Sequence, residues 1–419
     1  MNKLKIFFIV SVISILISSC VINKKDDSIV EITYFSRSTP EQLKVWQKVI
    51  DSFEQENKDI KVKIENVNYA SYWNKLQTMI AAGTPPDVVF IESGWFLNYA
   101  KRDTLLSLDE FIKKDKFDLS KYNKTSLESY IYNNKLYGLP NDMAIYALFY
   151  NKDLFDKAGI KYPVGKVLTW NELLDIAKKL TRDTNGDGVI DQYGIYPGPW
   201  WLWLWQNNAD FFKNPKNPKV PVLSSQDAIQ AVQFYADLSL KYKVAPTTVV
   251  LESGGDSVNM FFTGKLAMII EGHWMVPKFK YANFKWDVAN LPRGKKRANY
   301  SAGSCFSIVK GSKHPEAAYK LIKFLAGEKG QKILVKQGFS TPVLKPIMKS
   351  EEFLNSGINE KVFLDEMKYG HPMPSSEKWG EIRQKIESEL QLVWMGKKTA
   401  KEILPQLNKE IIKIMRENK

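Results

Sequence analysis

The sequence predicts an α/β protein of two lobes, each a sheet flanked by helices. Two successive runs of alternating strand and helix patterns, one starting at Ile29 and one near Ala144, are the first observation. The second is length: 419 residues, at roughly 150 per domain, make two or three domains. The third is composition. With 44% hydrophobic and 25% charged residues the chain can fill large cores, and collagen, coiled coil and wholesale disorder are excluded.

The first unit is βαβαβ. Ile29 to Phe35 alternates and is rich in β-branched residues, so it is a strand. Thr39-Pro40-Glu41-Gln42 then opens a helix: Thr39 caps, Pro40 takes the first position and Gln42 completes a capping box. Leu43, Trp46, Val49, Ile50 and Phe53 follow at helical spacing. Ile60, Val62 and Ile64 mark a second strand. Tyr72, Trp73, Leu76, Met79 and Ile80 lie on a second helix, stopped by Gly83 and Pro85. Asp87 to Ile91 is a continuous apolar run suited to a buried parallel strand.

The second unit begins with a strand at Ile145 to Tyr150. Thr169 to Glu172 caps a helix reaching Leu180, and Ser225 starts another through Ala228, Ile229, Val232, Tyr235 and Leu238. Lys265 to Ile270, Val288 to Leu291 and Phe306 to Val309 read as strands. The remainder is mostly helical: Pro315 to Ala326, Gly330 to Gln337, Glu377 to Trp394 and Ala400 to Glu417. Asn214 to Pro221 is a Pro-rich surface loop.

The N-terminus reads as a targeting segment. Lys3 and Lys5 precede an apolar stretch from Ile6 to Ile17, whose twelve residues of helix span about 18 Å against a hydrocarbon core of about 30 Å. This is a signal peptide rather than a membrane span. It ends Ser18-Ser19-Cys20, which resembles a bacterial lipoprotein signal, in which a lipidated Cys becomes the new N-terminus. That gives a signal over 1–19, lipidation at Cys20 and a polar tether over 20–28. Cys305 is the only other cysteine, so no disulfide is expected.

Lys plus Arg number 60 against 46 Asp plus Glu, a net charge of +14, but only seven of the basic residues are Arg. Lys spread over solvated faces is not the planar Arg fork that phosphate recognition recruits. Arg293-Gly-Lys295-Lys296-Arg297 is read as a charged loop, and no nucleic-acid partner is expected. No nucleophile elbow, phosphate loop, dinucleotide fingerprint or zincin helix occurs. His273, His314 and His371 are isolated, with His314 placed to cap a helix. Glu92, Asp142 and Glu271, each near a strand end, could serve a glycosidase. They suit equally a pure binder that accepts hydroxyl protons.

Two features are sharper. Asp183-Thr-Asn185-Gly-Asp187-Gly188-Val189-Ile-Asp191 carries oxygen donors at positions 1, 3, 5, 7 and 9 of a calcium loop. Gly194 stands where the closing Glu belongs. Both a structural Ca2+ site and an ion-free Asx turn remain open; no other cofactor is expected. Trp200, Trp201, Trp203 and Trp205 crowd six positions, and neither a strand nor a helix can turn all four to one core. Some are therefore expected to line a groove, where an indole face suits the C–H face of a sugar ring. Trp46 and Trp394 are assigned to cores.

In order along the chain, the lipoprotein signal, Tyr72-Trp73-Asn-Lys-Leu76 through Asp87, Tyr137-Gly-Leu-Pro140-Asn-Asp142, Tyr150-Asn-Lys-Asp-Leu154, Thr169-Trp170-Asn-Glu-Leu, Asp187 through Gly194, Gly264 through Trp274, and Ala302-Gly-Ser304 resemble the bacterial extracellular solute-binding proteins of sugar importers, the maltodextrin-binding type. The resemblance implies a two-lobed periplasmic-binding-protein-like fold (type II), each lobe a mixed sheet with helices and the ligand in the inter-lobe cleft. Lobe I would comprise 29–141 and 304–339, and lobe II 142–303 and 340–419. Crossings would lie near Pro140 to Ala144, Tyr300 to Gly303 and Gly338 to Val343. Trp73, Glu92 and Asp142 would face the cleft from the first lobe, Trp274 and Trp203 from the second, with Ser304 by a hinge strand. His273 and Ala302 depart from the Pro and Gly common in the family.

The implied function is capture of an oligosaccharide without conversion and delivery to an ABC permease, by a lipid-anchored monomer at the extracellular face of the membrane or in the periplasm. A lipid-anchored glycoside hydrolase and a binder of peptides or polyamines are the alternatives.

Overall fold

The computed structural model describes residues 29–339 and 341–417. The signal, Cys20 and the tether fall outside them. Among the described residues no helix is long and apolar enough to cross a membrane.

The expected βαβαβ unit forms. Strand β1 (Val30–Ser36) pairs in parallel with β2 (Ile60–Asn66) on one side and β3 (Val88–Glu92) on the other. The helices between them make the crossovers that parallel pairing requires. The helix Pro40–Glu56 carries the Thr39/Gln42 capping box and buries Trp46, Val49, Ile50 and Phe53. In the helix Tyr69–Ala81, Tyr72 turns its hydroxyl onto β3, donating to the Phe90 carbonyl (2.7 Å) and accepting from its N–H (3.1 Å). A hairpin of two-residue strands, β4 (Ile131–Tyr132) and β5 (Lys135–Leu136), leads to β6 (Leu139–Met143).

The second lobe is built on β7 (Tyr146–Asn151), flanked in antiparallel pairing by β8 (Met268–Gly272) and β9 (Trp286–Ala289). Parallel bridges of Tyr193 to Leu266 and Tyr196 to Ile269 run along the other side of β8, so the sheet is mixed. All six residues of β7 are buried. Tyr146, Leu148 and Tyr150 enter one core; Ala147 and Phe149 enter the other. The period of two thus explains why this strand is apolar throughout: it has a core on both faces. The strand expected from Lys265 starts later, because Lys265 and Leu266 close the turn after the helix Ser257–Phe262 with bonds to the Met260 carbonyl.

After the short β10 (Asn299–Tyr300), the chain returns to the first lobe as β11 (Gly303–Ile308), which inserts antiparallel between β3 and β6. The first sheet therefore reads β2-β1-β3-β11-β6. Tyr300 also pairs with β12 (Gly370–His371).

The three segments expected to form the crossings are neighbours in space. The Ala144 N–H donates to the Ala302 carbonyl (2.6 Å), the Met143 N–H to the Thr341 carbonyl (3.1 Å), and Met143 is the register partner of Gly303. A Cβ on Gly303 would stand 2.0 Å from the Asp142 carbonyl oxygen. Only glycine lets the two passages approach this closely.

Two local expectations need correction. His314 precedes the helix Pro315–Ala326 but makes no side-chain capping bond; its backbone N–H is held by the Ser312 hydroxyl instead. The four tryptophans do not form an exposed cluster. They lie on the helix Trp200–Gln206, which packs on the helices Gln226–Leu240 and Trp379–Trp394 and beside β10. A helix enclosed on several sides can be apolar all round. Trp200, Trp203 and Trp205 are buried and only Trp201 is partly open. Trp46 is core as expected, whereas Trp394 sits at the core's edge, half-buried against Tyr235.

Gly303→Ala is expected to cost about 1–3 kcal/mol, since the new methyl meets backbone that cannot yield cheaply. Gly380→Ala, where a Cβ meets nothing within 4 Å inside a helix, is expected to be neutral or stabilising. Thermal melts of the two variants check the contrast.

Candidate functional site

A cleft of about 700 Å³ opens above the crossings. Its floor is one row of three strands. Ser304 is the register partner of Glu92 on β3 and of Asp142 on β6, so the sheet itself sets the two carboxylates on either side of a serine. Asp142 accepts from the Ser304 N–H (2.9 Å) and hydroxyl (2.7 Å). The buried Asn141 amide ties both, reaching the Ser304 hydroxyl at 3.1 Å. Burial pushes the Asp142 carboxyl above its ordinary range, against the Ser304 donors, which pull it down. Glu92 is held differently: it pairs with the Arg37 guanidinium, which lies over the rings of Tyr69 (4.7 Å) and Phe90 (4.5 Å).

Aromatic rings form the walls. Tyr69, 49% exposed, begins its helix at the rim. Trp95 lines the cleft and is backed by Trp73, stacked beneath it at 4.6 Å and 18°. On the other side Trp274 stands edge-on to Tyr146 (5.1 Å, 84°). Its ring covers Gly272 so closely that a Cβ there would lie 2.1 Å from it. Trp201 carries Arg383 over its face at 5.5 Å, and Tyr300 completes the wall near β10.

Of the residues singled out in the sequence, Glu92, Asp142, Trp274 and Ser304 come together on this cleft. Trp73 lies one layer behind, its face taken by Trp95. Trp203 is displaced from expectation: it is fully buried, its indole N–H bonded to the Pro197 carbonyl (2.8 Å) and its ring packed on Trp170 and Phe234. Trp201, about half a turn earlier on the same short helix, is the member that reaches the cleft. Arg37, Tyr69, Trp95, Tyr300 and Arg383 were not singled out. Tyr69 had a readable signal, a large aromatic off the apolar stripe of its helix; Arg383, over 280 residues from Tyr69, had none.

A family model described as "Bacterial extracellular solute-binding protein" matches residues 37–332. The chain belongs to that family. A galactooligosaccharide-binding protein of Bacillus subtilis (strain 168) is 26% identical, over 97% of this chain and 95% of its own. An arabinooligosaccharide-binding protein of the same organism is 24% identical, over 80% and 79%. Among solved structures, an ABC substrate-binding protein of Listeria monocytogenes in complex with cycloalternan is 29% identical and superposes with a TM-score of 0.85, over 92% of this chain and 99% of that one. The two-lobed fold follows from this likeness together with the two sheets.

Beside Trp274 in this solute-binding fold stands His273. It is fully buried and bonded to the equally buried Glu360 (2.8 Å), whose other oxygen takes the Ser356 hydroxyl (2.6 Å). The bond ties the segment around 360 to the turn that carries Trp274.

In the loop over Asp183, Asn185, Asp187, Val189 and Asp191 the carboxylate oxygens accept from the loop's own donors. Asp183 accepts from the N–H groups of Gly186 (2.7 Å) and Gly188 (2.8 Å), Asp187 from Val189 (2.7 Å), and both Asp191 oxygens turn onto Thr184. Among the described residues no three His, Cys, Asp or Glu side chains converge as metal ligands. These oxygens accept as in an Asx turn, and no step of function is assigned to an ion here.

Glu271 opens away from the main cleft into a second cavity of about 440 Å³. Burial pushes its carboxyl up to about 7, partly offset by the Gly272 N–H at 3.0 Å. The folded state therefore holds this proton between about pH 4.5 and 7 while the unfolded chain has lost it, so stability falls as pH rises through that window. Glu271→Gln is expected to remove a decline of the order of 2 kcal/mol, discounted for the part of the carboxyl that water reaches. Denaturant melts of both proteins at pH 5 and pH 7.5 measure it; an unchanged pH slope in the variant contradicts the assignment.

Proposed function

We propose that this protein captures an oligosaccharide in the main cleft, without converting it, and hands it to the permease of an ABC importer. The observation that carries the reading is the pairing of flat aromatic faces (Tyr69, Trp95, Trp274) with fixed polar groups on one floor (Arg37, Glu92, Asp142, Ser304). Pyranose rings need an apolar plate for their C–H faces and charged or amide partners for their hydroxyls. The sugars named for the relatives, galacto- and arabinooligosaccharides among them, are of that chemistry.

Capture without conversion fits the way the carboxylates are held. Glu92 is neutralised by Arg37, Asp142 is fixed by Ser304, and Glu271 opens onto a different space. No two of them are free to flank one glycosidic bond as acid and base. Two arginines at the cleft also argue against polyamines. On this reading lobe I is 29–141 with 304–339 and lobe II is 142–303 with 340–419. The three adjacent passages at Met143, Ala302 and Thr341 act as the hinge, and contacts to both lobes supply the differential affinity that closes it. We further infer a monomer, tethered outside the membrane by a lipid on Cys20.

Isothermal titration with malto-, galacto- and arabinooligosaccharides tests the ligand class, with chromatography of the mixtures for products. At least one series is expected to bind and none to be cleaved. Trp274→Ala and Trp95→Ala are each expected to weaken binding by about tenfold or more, because each removes one plate. Intact affinity in both variants would move the ligand elsewhere. For the anchor, Cys20→Ser in cells is expected to shift the protein from the detergent phase to the aqueous phase of a Triton X-114 partition; wild-type protein already in the aqueous phase rejects lipidation.

A further inference from the structure

The second cavity is bounded by Tyr196 to Pro199, by the helix Gln226–Leu240 and by the helix Trp379–Trp394. It shares Trp201 and Arg383 with the main cleft, so a single layer of side chains divides the two spaces. At the end of β8 the same division falls between two residues: Glu271 on the strand lines the second cavity, and Trp274, just past it, lines the first. Arg383 is exposed and has no carboxylate partner among the described residues, so little holds it across the opening.

The lining repeats the chemistry of the cleft. Trp394, half-buried, offers a ring braced by Tyr235 at 4.9 Å. Glu387 is turned toward the Trp200 indole N–H at 3.4 Å. Glu271 uses one oxygen on the Gly272 N–H, and among the described residues no protein donor meets the other. That oxygen faces the cavity, where a hydroxyl donor can meet it.

We propose that the second cavity is a further sugar subsite, taking the distal unit of an oligosaccharide whose leading units occupy the main cleft, with Glu271 receiving a hydroxyl and Trp394 contacting the ring. This rests on the oligosaccharide reading above. The chain would pass the Trp201–Arg383 partition by displacement of the arginine.

The test is titration of the protein with malto-, galacto- and arabinooligosaccharides from disaccharide to hexasaccharide, in wild type, Glu271→Ala and Trp394→Leu. Wild type is expected to gain affinity in a step at one chain length. Each variant is expected to lose that step, binding the longer sugar about fivefold more weakly and leaving the disaccharide unaffected. Melting temperatures confirm folding, and Glu271→Ala decides the matter alone if Trp394→Leu does not fold. A step that survives in the folded variants overturns the subsite, as does a wild type that binds disaccharides with no gain at any length; both leave the sugar reading standing. Failure of every series at every length removes that reading and the subsite with it.

Discussion

The antiparallel insertion of β11 between β3 and β6 is the constraint on which the rest depends. It brings residue 304 back beside residues 92 and 142 in a single row, so one strand both closes the first sheet and lays the floor of the cleft. The close approach at Gly303 makes the same strand the passage between lobes. Position and motion are thereby coupled: whatever turns the crossings relative to the sheet also turns Glu92, Ser304 and Asp142 relative to Trp274. A ligand touching both sets senses the angle between the lobes through groups that a single strand keeps in register.

Much of the fold was legible because its signals are local. The capping boxes at Thr39 and Thr169, the apolar stripes that follow them and the β1-to-β3 alternation all form within a few residues of where they are written. Of the site, Glu92 was legible at the end of the buried run 87–91, whereas Asp142 and Trp274 were placed by the motifs Tyr137 to Asp142 and Gly264 to Trp274 that carry the resemblance. What was not legible is set by packing between distant segments. Arg37 and Arg383 join the cleft only once β1 and the helix Trp379–Trp394 have docked, and no spacing rule links positions so far apart.

The tryptophan run shows how a correct geometric premise gave a wrong conclusion. Its four indoles do point in different directions, as periodicity requires. The inference of exposure failed because the helix that bears them is surrounded, so different directions are different parts of one core. Their indole N–H groups mark the outcome: Trp203 and Trp205 have partners inside the protein, at Pro197 and Asp210. Trp201, whose ring borders the cleft, has none for its buried N–H among the described residues.

The electrostatics of the cleft run against those of the chain. A protein with a net charge of +14 gathers Glu92 and Asp142 around its cleft and, just beyond the partition, Glu271. Withdrawing carboxylates from water costs stability, and each is compensated differently: Glu92 by a guanidinium, Asp142 by a serine that donates twice, and Glu271 by one backbone N–H. The order of compensation is also an order of readiness. Glu92 already has its counter-ion and serves to hold Arg37 over the aromatic rim; Asp142 keeps Ser304 in place on the adjoining strand; Glu271 retains an oxygen with no donor from the described residues. A binding protein concentrates unmet hydrogen-bonding capacity where the ligand will supply it, since a donor that arrives with the ligand is paired at the moment of capture and at no other.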